Sequence, residues 1–139
     1  MNKIGFGILT SSVTLVASSL CLQAALVEQA PTENKGLKAL EARSVDLSPD
    51  IDSGRGGKLR LKLLTLEPGG IVQLHSHKNH PTILHVIKGT LTSRLQGGPE
   101  VVLRAGVGLA EGKDTSYWIQ NTGSEPAEFI WLPVYETTP

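Results

Sequence analysis

GGIVQLHSHKNHPTILHVIKG, residues 69–89, is the stretch on which the fold is decided. It begins and ends on turn-forming glycine. Between those ends, Ile71 to His77 reads as one strand, Asn79-His80-Pro81 breaks it, and Thr82 to Ile87 reads as the next. Side chains two apart on a strand share a face. Gln73, His75 and His77 therefore point one way, which is a sound way to aim two imidazoles at one ion. Thr82, Leu84 and Val86 share a face on the following strand and are expected to continue the lining of one cavity. His85 has the opposite parity and faces away from it.

The pattern continues on both sides. Upstream, Lys58 to Leu66 alternates basic and apolar residues, so one face is expected in the core and one in water. Pro68-Gly69-Gly70 turns the chain. Downstream, Leu91 to Gln96, Glu100 to Arg104, Val107 to Ala110, Ser116 to Gln120 and Ala127 to Val134 read as short strands. Gly, Pro or Asn stands at each break. Leu37 to Leu47 adds one more strand, and Ser48 to Gly57 has the composition of a loop. No segment keeps a helical period. Short strands at this spacing predict an all-β sandwich or barrel.

Composition agrees. The 139 residues are enough for one domain, and 40% of them are apolar. Aromatics make up only 4%, so aliphatic side chains must fill the core. The formal net charge is zero. No basic patch is present to neutralise phosphates, which argues against nucleic acid as a partner.

The N-terminus reads differently. Lys3 is followed by an uncharged stretch from Ile4 to Leu22, then by Ala24 and Ala25. This is the order of a secretory signal peptide, with residues 1–24 removed on export to the periplasm or beyond. Cys21 invites a lipoprotein reading, but Leu20 stands where a small residue is needed. As the only cysteine, it leaves the exported chain without a disulfide. Residues 25–36 form a polar lead-in, and 37–139 the folded domain. No membrane association is expected after cleavage.

Two spacings go beyond pattern. In the first, Gly69 is followed after five residues by His75-Ser76-His77, after four more by Thr82, and after six more by Gly89. In the second, Gly106 is followed after five residues by Gly112-Lys113-Asp114, after two by Tyr117, and after three by Asn121. These spacings resemble the two signature motifs of the cupin superfamily, over roughly Lys58 to Val134. The segments His75 to Pro81 and Trp118 to Gly123 also resemble small single-domain bacterial cupins.

The resemblance implies a double-stranded β-helix, a jelly-roll barrel, and a homodimer. It also implies a mononuclear divalent metal (Mn, Fe or Zn) on His75, His77 and the second-motif position, here Tyr117. The sequence departs from the family where the metal is held. Thr82 replaces the motif's Glu and Tyr117 its second-motif His, so binding is expected to be weak or absent. Two other candidates read as peripheral: His80 as a solvated loop histidine, Glu111 as a solvated loop carboxylate. Trp118 and Trp131 read as barrel packing, and Asn121 as a turn residue. The expected function is a pocket for a small ligand with a degenerate metal site. The alternatives are a metal-dependent oxygenase or isomerase using His75 and His77, and a partner-binding module.

Overall fold

The structure is a computed structural model, and it describes residues 29–50 and 57–136. The expected signal segment, and part of the loop after residue 48, lie outside the described residues. Eight strands follow in order: β1 (Lys35–Asp46), β2 (Gly57–Ser76), β3 (Thr82–Lys88), β4 (Thr90–Leu95), β5 (Glu100–Arg104), β6 (Gly108–Glu111), β7 (Ser116–Asn121) and β8 (Ala127–Glu136). The described residues contain no helix. The strands pair antiparallel in the order β5-β4-β7-β2-β8-β3-β6, with β1 added on β2, and curl into a nearly closed barrel.

The expected turn at Pro68-Gly69-Gly70 is not a reversal. The chain does not double back, and β2 is a single long strand with a corner, where the step from Leu66 to Ile71 spans only Leu37 to Lys35 of β1. Its first half, Gly57 to Leu66, pairs with β8; its second half, Ile71 to Ser76, pairs with β7. Gly69 makes the corner with φ of +69°, a conformation that L side chains rarely adopt. One strand thus joins the two sides of the barrel.

Alternation along Lys58 to Leu66 is real, but the faces are reversed from the simplest reading. Leu64 and Leu66 point into the core, while Leu59, Leu61 and Leu63 are only half-buried. Lys62 shares the inner face with Leu64. The core itself is mainly aliphatic, as composition requires: Leu64, Leu66, Val72, Leu84, Val86, Leu91, Leu103 and Ile119 pack with Phe129 and Tyr117. Fully burying each such aliphatic side chain contributes about 1.5–3 kcal/mol. With no disulfide among the described residues, this packing is the main source of stability.

Candidate functional site

The site is built where β2 passes β7. Ile71 and Val72 face Gln120 and Ile119, but His75 and Ser76 face Tyr117 and Ser116. One extra residue has entered β2 between the two pairs. Such a bulge shifts parity and re-aims the side chains beyond it. Val72 is inside before the bulge; His75 and His77 are inside after it.

His77 is fully buried. Its Nδ1 lies 3.1 Å from the carbonyl of His80 and 2.9 Å from the Thr82 hydroxyl oxygen. A carbonyl only accepts, so Nδ1 carries the proton and donates. The Thr82 hydroxyl in turn donates to the same His80 carbonyl at 2.9 Å. His75 is held likewise, donating Nδ1–H to the Gln73 carbonyl at 2.7 Å. Both imidazoles therefore present a bare Nε2, and neither Nε2 has a hydrogen-bond partner. This is the tautomer that a metal ion requires. Burial, the largest cause in each case, depresses both pKa values, and His77 falls to about 4.

Glu111 corrects the reading of a solvated loop carboxylate. Strand β6, inside the second motif, runs to Glu111 rather than stopping at Ala110, and register places Glu111 opposite Thr82. Its side chain is buried, with one oxygen 3.3 Å from His77 Nε2. Neither carboxyl oxygen meets a donor in hydrogen-bond geometry. Burial pushes its pKa up to about 7. Sequence parity would have found it had the strand been extended by one residue.

Tyr117 is fully buried from β7, its ring stacked on His77 at 5.3 Å and edge-on to His75 at 4.6 Å. Its hydroxyl has no hydrogen-bond partner. Burial, and then the carboxyl of Glu111, raise its pKa. The phenol therefore stays neutral, and a neutral phenol is a poor ligand.

Above these groups opens a cavity of about 250 Å³. Gln73, His75 and Thr82 line it, as expected from the sequence, and Lys62 and Trp131 join them. His80 is half-buried at its edge, stacked on Tyr135 at 5.4 Å, rather than solvated. His77 and Tyr117 lie behind the cavity. Leu84 and Val86 do share the inner face with Thr82, but they belong to the closed core and not to the cavity wall. Both are fully buried in the cluster that also holds Tyr117 and Phe129. His85 points outward.

Trp118 faces away and carries the Arg94 guanidinium 4.5 Å from its ring centre. Asn121 fixes its turn by accepting from Gly123 N–H at 2.9 Å. It also donates to the Leu66 and Glu125 carbonyls, each at 2.8 Å.

The family's metal can be weighed against this geometry. The donors fit a divalent ion in kind: two bare imidazole nitrogens and a buried carboxyl whose oxygens lack partners. Glu111 supplies a carboxyl that Thr82 lacks, while the Thr82 hydroxyl is engaged with the far nitrogen of His77. The donors are not gathered, however. Among the described residues no three His, Cys, Asp or Glu side chains converge as a metal site.

The comparisons with known proteins agree with this architecture. No curated protein matches the chain at a significant level. Among solved structures, a cupin protein of Bacteroides fragilis is 22% identical, with 67% of this chain and 76% of that chain covered, at a TM-score of 0.51. A protein of Bacillus halodurans is 16% identical, with 58% and 65% covered, at 0.53. A predicted oxalate decarboxylase of Thermotoga maritima is 20% identical, with 68% and 91% covered, at 0.50. At these identities the likeness is one of fold, and it is the jelly-roll that the motif spacings imply. The family model of the cupin domain matches residues 62–133, more than half of the chain and including His75, His77, Thr82, Glu111 and Tyr117, and the chain belongs to the cupin family.

Proposed function

We propose that this cupin binds a small molecule in the barrel mouth, above a metal site too dispersed to drive catalysis. The observation that supports this most is the cavity itself. It is open, of about 250 Å³, and ends on His75. Apolar walls with a few placed polar groups are the ordinary make-up of a ligand pocket. Because the two bare imidazole nitrogens and the Glu111 carboxyl do not converge, no step is assigned to a metal. The chain's own residues act on the ligand: Trp131 and Leu64 exclude water, Gln73 orients it, and Thr82 with the His80 carbonyl holds the proton on His77 Nδ1.

Native mass spectrometry of protein purified without chelator tests the reading. A small-molecule adduct released on unfolding, with well under one metal per chain, is expected. A full equivalent of tightly held metal, lost in Tyr117→Phe, would instead favour a metal-dependent enzyme with Tyr117 as a ligand.

A further inference from the structure

We propose that the ligand of the cavity is a small carboxylate, held by the Lys62 ammonium group. This rests on the reading of the cavity as a ligand pocket and adds the charge of what enters it. The strand parity of β2 puts Lys62 on the inner face with Leu64, in register opposite Trp131, and both line the cavity. The ammonium nitrogen stands 5.9 Å from the centre of the Trp131 ring. One step outward on the same face, the Arg60 guanidinium lies 5.7 Å from the Tyr135 ring. Among the described residues, Lys62 is thus the one cation in the cavity wall, resting on an aromatic face, and Arg60 repeats that arrangement outside the lining.

No Asp or Glu lines this cavity. The Glu111 carboxyl is buried against His77. Among the described residues no carboxylate pairs with Lys62. A cation turned into a half-closed, largely apolar cavity lacks part of its hydration, and an anionic ligand offsets that loss. The position of the anion also follows. His75 presents a lone pair, which repels an anion, so the carboxylate lies at the Lys62 end. Its hydrocarbon body then meets Leu64, Val72 and Trp131. A phosphate fits less well. The cavity offers no arginine fork, and the described residues contain no helix whose N-terminus could receive one. The volume is below the roughly 300–1,000 Å³ of pockets for drug-sized ligands, which points to a small acid.

Binding of three probes to the full chain, followed in ¹⁵N-correlated spectra, tests this. The probes are 3-methylbutanoate, its uncharged isostere 3-methylbutanamide, and methyl phosphate. The carboxylate should bind saturably, shift the resonances of Lys62, Gln73 and His75, and exceed the amide in affinity by about tenfold or more. Lys62→Gln and Lys62→Met should bring the carboxylate down to the affinity of the amide, with the rest of the spectrum unchanged. Equal binding of acid and amide to the wild type would overturn the charge assignment and leave the pocket standing. So would undiminished carboxylate binding in both variants. Tighter binding of methyl phosphate would overturn the carboxylate assignment alone. If none of the probes shifts a resonance of the cavity, the pocket reading falls as well.

Discussion

Glu111 and His77 carry opposite burdens. His77 has a pKa depressed to about 4, so the unfolded chain binds its proton more readily below about pH 6.5. That part of the stability is present above 6.5 and is lost as pH falls towards 4. Glu111 has a pKa raised to about 7, so the folded chain holds its proton longer. That part is present below about pH 4.5 and is lost as pH rises through 7. Burial drives both. Glu111→Gln keeps the shape and removes the second titration. The variant should gain stability relative to wild type from pH 5 to pH 8, by an amount on the order of 1–3 kcal/mol. Urea unfolding across that range checks it; parallel curves for the two proteins would show that Glu111 does not titrate there. Tyr117 offers a second test. Tyr117→His places an imidazole between His75 and His77, and divalent-metal affinity should rise by at least about tenfold. Calorimetric titration with Zn²⁺ or Mn²⁺ reads it directly; unchanged affinity would mean that Tyr117 does not face the His75–His77 pair.

At the scale of the strands, turns and bulges decide where side chains go. Gly89 links β3 to β4 with φ of +84°, and an added Cβ would lie 2.9 Å from Ala127. Both the conformation and the contact are closed to other residues. Gly89→Ala should therefore cost about 1–3 kcal/mol, seen as a lower Tm. A change under about 0.5 kcal/mol would mean that the turn relaxes freely. The bulge in β2 is the counterpart on the functional side. Without its extra residue, Leu74 and Ser76 would take the inner face and both histidines would lie outside. The His-x-His pattern shows that two imidazoles share a face; which face they share is set by the mismatch with β7.

Across the whole molecule, several large apolar side chains stand on the outer wall among charged ones. Ile83 and Ile87 on β3 are 54% and 44% exposed, and Leu40 on β1 is 57% exposed. We propose that this wall is covered by a second copy of the chain. Light scattering should return the dimer mass at micromolar concentration, and Ile83→Asp should shift it to the monomer without loss of fold. A monomer mass for the wild type would refute the proposal. Export is tested separately. Protein recovered from outside the cytoplasm should begin between Cys21 and Leu26 by intact mass, and a mass that retains Met1 to Leu20 would exclude signal cleavage.

The sequence by itself determined most of the strands, because alternation, glycine and proline are local signals, but it split β2 in two at Pro68-Gly69-Gly70. It also put His75 and His77 on one face, since parity within an unbroken stretch of strand is local too. The family resemblance followed from spacings fixed by the same turns, with Gly69 and Gly89 held at positive φ. The tertiary structure alone decided the rest. A run such as Lys58 to Leu63 shows two faces and not which one turns inward. Here Lys62 enters the barrel because Leu64 and Leu66 further along the same face are drawn into the core. Glu111 joined the site because pairing with β3 extended β6 by one residue, and Leu84 and Val86 left it because neighbouring strands filled the space beneath them. Burial, register and free volume depend on partners far away in the chain, and no single stretch of sequence contains them.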